Sequence, residues 1–170
     1  MGVTIHYSGH LREPLAYGLL IGEVQDFAEQ QSWPHRLISK SGATLERWDQ
    51  TGREWTVRGD TRGIELLPHD WCEPLTLEFD REHFVQDFTK TQYAPPEIHV
   101  AIVELFQHLA PFFRDLDVSD EGEYWESGDL DRLRDMFDEC FQALHDALAE
   151  NPEARGPIRL EGGRIADIIE

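Results

Sequence analysis

The chain is poor in positive charge, in cysteine and in long apolar runs, and each shortage excludes something. Lys and Arg together number 15 against 34 Asp and Glu, a formal net charge of −19 over 170 residues. Such a field repels phosphate backbones and anionic headgroups, which argues against nucleic acid and against a membrane surface as partners. No run of about 18 apolar residues exists, so no membrane-spanning helix is expected. The N-terminus, Met1-Gly2-Val3-Thr4-Ile5-His6, has no basic region followed by an apolar run and reads as no signal peptide. His6 also stands where a myristoylation signal needs Ser or Thr. The cysteines are Cys72, in a predicted loop, and Cys140, on a predicted helix; the expectation is two reduced thiols in a cytoplasmic protein. Catalytic signatures are missing too. There is no glycine-rich phosphate loop, nucleophile elbow or paired-histidine zinc helix. The carboxylates are too numerous for any pair to stand out as acid and base. No cofactor and no metal are expected.

What is present is a globular composition. The apolar share is 40%, with five Trp and nine Phe. The length suits a single domain over residues 1–170, burying roughly 70% of the unfolded chain's surface, with 156–170 as a loosely attached tail. Negative charge is denser towards the C-terminus. Residues 1–100 hold 9 basic and 16 acidic side chains, residues 101–170 hold 6 and 18. Lys40 and Lys90 are the only lysines, against thirteen arginines, a bias that fits a GC-rich genome or a saline cytoplasm.

Periodicity supplies the elements. Val3, Ile5 and Tyr7 alternate with Thr4, His6 and Ser8, a strand with one apolar face. Pro14 suits a first helical position, and Leu15, Leu19, Leu20, Val24, Phe27 and Ala28 follow at helical spacing until Ser32-Trp33-Pro34. Gly18 and Gly22 cost this helix about 1 kcal/mol each, unless they serve close packing on a sheet. The middle reads as strands near 35–39, 53–58, 64–66, 75–79 and 84–88. Turns are expected at Ser41-Gly42, Gln50-Thr51-Gly52 and Gly59 to Gly63, with a polar loop from Pro68 to Pro74. Short turns favour antiparallel pairing.

Pro95 opens a helix whose stripe of Ile98, Ile102, Leu105 and Leu109 is widened by Val100, Val103 and Phe106, so it should be buried. Pro111 kinks or divides it near His108. An acidic loop spans Asp117 to Ser127. A last helix over 129–150 carries Leu130, Leu133, Phe137, Cys140, Phe141, Leu144 and Leu148. The tail around Gly162-Gly163 forms a small hairpin or frays. The order is one strand, one helix, four or five strands, then two helices. It reads as α+β: a mainly antiparallel sheet with helices packed on one face.

Three stretches carry candidate chemistry. In Thr89 to His99, polar side chains lead into a helix start, where backbone N–H groups and partial positive charge favour anions. Lys90, Gln92, Tyr93 and His99 are the candidates there. Pro95 and Pro96 delete two of the N–H groups, and Glu97 occupies the positive end, which narrows the claim to the side chains. Asp117 to Gly128 imitates an EF-hand, with Asp117, Ser119 and Glu121 at positions one, three and five and Gly122 at six. Position twelve, which must bring a bidentate carboxylate, is Gly128. The stretch reads instead as an acidic turn whose Tyr124 and Trp125 pack on the core or anchor a basic partner. His69 and Cys72 offer two zinc ligands where a site needs three or four. Cys72 is also a formal nucleophile if a histidine lies nearby.

The leading expectation is a binding protein, an inhibitor or immunity-like module, contacting a basic protein partner through Tyr124 and Trp125. The rival is an enzyme or small-ligand protein with a pocket near residues 89–99. Either a monomer or a homodimer sharing the stripe on 130–148 is consistent with the pattern.

Overall fold

The computed structural model describes residues 2–170. The chain runs β1 (Thr4–His10), α1 (Ala16–Gln31), β2 (His35–Trp48), β3 (Glu54–Leu66), β4 (Leu75–Phe79), β5 (Phe84–Lys90), α2 (Pro96–Leu109), β6 (Asp117–Asp120), α3 (Tyr124–Ser127), α4 (Leu130–Glu150), β7 (Ile158–Arg159) and β8 (Ile165–Ala166). Every ladder is antiparallel, and with the helices this makes an α+β fold.

The strands form two three-stranded sheets, ordered β5-β1-β6 and β2-β3-β4, and a small β7-β8 hairpin. In the first sheet β1 is central, with Tyr7 opposite Asp87 on one side and Val118 on the other. Its alternation is kept: Ile5 and Tyr7 are buried, while His6, Ser8 and His10 stand half-exposed on the outer face. Ile5, Tyr7 and Val85 join Ile64, Leu66, Leu75, Leu77 and Phe79 in one core. Helices α1 and α2 close it with Leu20, Val24 and Ala28 from one and Ile102, Leu105, Phe106 and Leu109 from the other. A smaller cluster of Val3, Leu133 and Phe137 seats α4 beside α2.

Local chemistry explains most ends. Ser32 takes a left-handed conformation, φ 58°, and its N–H caps the last turn of α1. Pro95 precedes α2, and at Pro111 the missing N–H turns its far end into a short 3-10 segment, Ala110–Phe112.

Two expected turns are not turns. Ser41-Gly42 lies inside β2, where the register slips between Lys40 and Ala43 and Gly42 sits at φ 61°. The glycine makes a bulge in a strand of 14 residues. Gly59 to Gly63 lies inside β3, paired on both sides at Arg62 and Gly63. A Cβ on Gly63 would run into the Leu77 carbonyl, so the glycine there permits a close backbone approach. The acidic 117–127 loop also holds more order than expected, as β6 and the helical turn α3. The expected element order therefore lacks β6 and α3, while the tail takes the hairpin rather than the frayed alternative.

Gly18 and Gly22 of α1 have no neighbouring atom within 4 Å of a would-be Cβ. They serve no close packing on the sheet. Replacing either by Ala is expected to stabilise the fold by about 0.5–1 kcal/mol, through helix propensity alone. Urea unfolding of the two variants checks this; a lowered midpoint would show that those positions carry a packing role.

Candidate functional site

The donors predicted to gather near residue 90 do gather, and they gather on a carboxylate. Asp167 Oδ1 accepts from Lys90 Nζ at 2.9 Å, Gln92 Nε2 at 3.1 Å and Tyr93 Oη at 2.6 Å. Lys90 also reaches the Ile165 carbonyl, and Gln92 Oε1 accepts the Val3 N–H at 2.7 Å. Burial by itself raises the Asp167 carboxyl, but the Tyr93 hydroxyl and Lys90 ammonium outweigh it and hold it below the ordinary aspartate range. Burial, and next the Asp167 carboxylate, push the Tyr93 phenol up.

A second contact of opposite sign holds the same tail. Arg164 reaches the buried Glu73 at 3.0 Å, Asp87 at 2.6 Å and the Phe88 carbonyl at 2.7 Å. Glu73 also accepts the N–H groups of Lys90 and Ile165, each at 2.9 Å. The β7-β8 hairpin is thus pinned at two points by crossed charges. Nothing local in the sequence marked Asp167, Arg164 or Glu73, because the side chains that Asp167 and Arg164 bind lie 74 or more residues away.

His99 belongs to a different cluster. It is fully buried; its Nδ1 is 2.7 Å from Thr91 Oγ1, and its Nε2 is 2.9 Å from Asp120 Oδ1, off the straight line of an N–H bond. Asp120 also accepts the N–H groups of Gly122 at 2.7 Å and Trp125 at 2.8 Å. Burial works to raise the Asp120 carboxyl, yet His99 and these N–H groups leave it below the usual value. The trio resembles a hydroxyl–imidazole–carboxylate relay in its atoms alone, because Thr91 and His99 have no exposed surface for a substrate to reach.

Tyr124 and Trp125 are half-buried and pack on the core rather than standing out as anchors. Of the residues that imitated a calcium loop, Asp117 and Ser119 lie on the outward face of β6 and Glu121 binds Thr4 N and His6 Nε2, while the intervening Asp120 turns inward. His69 Nδ1 accepts the Trp71 N–H, and Cys72 is buried with its thiol donating to the Glu73 carbonyl. Burial and the neighbouring Glu73 push the Cys72 thiol far above neutrality, which suppresses the thiolate a nucleophile needs. Cys72 and Cys140 form no disulfide.

A separate cavity lies on the outer face of the β5-β1-β6 sheet. The far half of the β2–β3 hairpin bends over that face. Gln86 clamps it by accepting the Trp48 N–H at 3.1 Å and donating to the Trp48 carbonyl at 2.9 Å. Arg47, only 3% exposed, adds an ion pair with Asp80 at 3.2 Å and lies over the Phe84 ring. The cleft beneath has a volume of about 590 Å³, within the range of small-ligand and side-chain sites. Its walls are Trp48, Phe84 and His6; its polar rim is Ser8, Asp49, Gln50, Asp117 and Ser119. Asp49 Oδ1 is held by the Thr51 N–H and hydroxyl and the Arg53 N–H, and the Thr51 hydroxyl leads the effects that keep it ionised. Asp117 and Ser119 are exposed. Sequence reasoning missed this site because its parts come from four strands and the β2–β3 turn, which lie far apart in the chain.

No protein-family model, curated protein or solved structure matches the chain. Among the described residues no helix is long and apolar enough to cross a membrane, and no group of three or more metal-ligating side chains converges.

Two outcomes test this geometry. Asp167→Ala should loosen the tail without unfolding the core: trypsin should cut faster at Arg159 and Arg164, and the Ile165 amide should exchange faster. Unchanged cutting and exchange would mean that Arg164 alone holds the hairpin. Asp120→Ala should cost on the order of 3 kcal/mol near neutral pH, since it takes the acceptor from the Gly122 and Trp125 N–H groups and leaves a void beside His99. A carboxylate whose folded pKa lies below its unfolded value of about 3.9 binds fewer protons when folded, so its stabilisation is present above that value and lost as pH falls through the folded one. Acid unfolding below about pH 4 should therefore be less steep in Asp120→Ala than in the wild type; denaturant midpoints across that range measure it.

Proposed function

We propose that the protein works in the cytoplasm as a binding module, inhibitor or immunity-like in kind, that takes a basic protein partner into the cleft beneath the β2–β3 hairpin. The observation that carries this reading is the cleft itself: an aromatic wall rimmed by the carboxylates of Asp49 and Asp117 in a chain of net charge −19. The long-range field steers a basic surface inward and speeds encounter, and Trp48 offers the kind of large ring that dominates contact energetics. The acidic turn supports the same reading less directly. Its Tyr124 and Trp125 hold it against the core, leaving Glu123 and Glu126 as part of the negative rim around Arg132.

The rival, an enzyme or small-ligand pocket on Lys90, Gln92, Tyr93 and His99, has less support. The first three side chains are bonded to Asp167, and His99 is sealed between Thr91 and Asp120.

The test is capture of the partner on the tagged protein, followed by affinity measurements with the purified pair. Affinity is expected to fall at least about tenfold between about 50 and 300 mM salt, and again on combining Asp49→Asn with Asp117→Asn. Binding that ignores both salt and the double substitution would overturn the cleft as the site.

A further inference from the structure

The free polar groups of the cleft are mostly acceptors. Asp117 and the Ser8 and Ser119 hydroxyls have no protein partner among the described residues, and Asp49 has one carboxylate oxygen outside its turn. A group that fills such a site must donate several hydrogen bonds and lie flat against a ring. The same protein shows what its aromatic rings accept. Arg47 lies 5.1 Å from the Phe84 ring centre, Arg164 4.0 Å from Phe88, Arg62 3.7 Å from Tyr17 and Arg53 5.8 Å from Trp55. Trp48, in T-shaped contact with Phe88, has no guanidinium over its ring among the described residues. It borders the cleft beside a rim with unpaired acceptors.

We infer that the cleft is an arginine receptor: a guanidinium from the partner stacks on Trp48 while its N–H groups reach Asp117 and Asp49. This rests on the proposed binding of a basic partner and adds the side chain that is read. Guanidinium has five donors in a rigid plane, no acceptor, and weak hydration; it gains from stacking and from a two-oxygen acceptor at once. An ammonium matches the charge of the site but not its flat wall, so lysine is the discriminated competitor.

Titration calorimetry of the full chain with two capped peptides of equal charge, one with four arginines and one with four lysines, separates the claims. The arginine peptide is expected to bind at least fivefold tighter at low salt. Trp48→Leu should reduce that ratio to below twofold while leaving the lysine peptide nearly unchanged, and Trp48→Phe should keep part of it. Asp117→Asn, at an exposed position, should weaken both peptides with no effect on the melting midpoint. Equal affinities in the wild type, or a ratio that survives Trp48→Leu, would overturn the arginine preference and leave the basic-partner reading standing. Binding of neither peptide would overturn both.

Discussion

The interaction on which the rest depends is the buried contact of Thr91, His99 and Asp120. It joins the end of β5, the first turn of α2 and the end of β6, and through Asp120 it holds the N–H that starts α3. Thr91 also binds the Val3 carbonyl, which brings in the start of β1, and the Phe137 ring meets the imidazole edge-on from α4. Six elements, β1, β5, α2, β6, α3 and α4, therefore meet at this one contact. An ionisable pair withdrawn from water carries a desolvation cost that only good geometry offsets. Asp120 meets that condition with backbone N–H groups on both oxygens.

The second organising feature is the placement of the few cations. Arg47 and Lys90 are largely inside and Arg164 is partly so, each facing one or more carboxylates. They fasten the β2–β3 hairpin and the terminal hairpin to the body of the fold. Each of those cations is matched by at least one carboxylate, so their engagement leaves the net charge at −19, and the cleft opens into that field. The hairpin clamp and the tail clamp share a border at β5, where Gln86 holds Trp48 and, two residues on, Phe88 carries Arg164 on its ring.

The regular elements were legible wherever one periodicity ran without interruption. Strand β1, helices α1, α2 and α4, and strands β4 and β5 follow from apolar spacing and from proline or serine at their ends. Glycine was the main source of error. Gly42 and Gly63 read as turn residues, because in sequence a turn, a bulge and a close strand approach look alike; only the neighbouring strand tells them apart. At the candidate site, Lys90, Gln92 and Tyr93 were legible as a cluster of donors from their position before a helix. Their carboxylate was not, since Asp167 arrives from the far end of the chain. His99, Tyr124 and Trp125 were legible as unusual side chains, but their burial depends on what packs over them.

The sequence by itself determined the class of the fold, the sign and size of the field, and the junction at residues 89–99, because these depend on composition and on spacing within a few turns of chain. Tertiary structure alone decided where each polar group finds its partner: Asp167 among the donors, Asp120 against His99, and Asp49, Asp117 and Trp48 around one cleft. Those meetings join residues tens of positions apart, and their strength comes from distance, burial and direction. None of the three is a property of a residue taken with its neighbours in sequence.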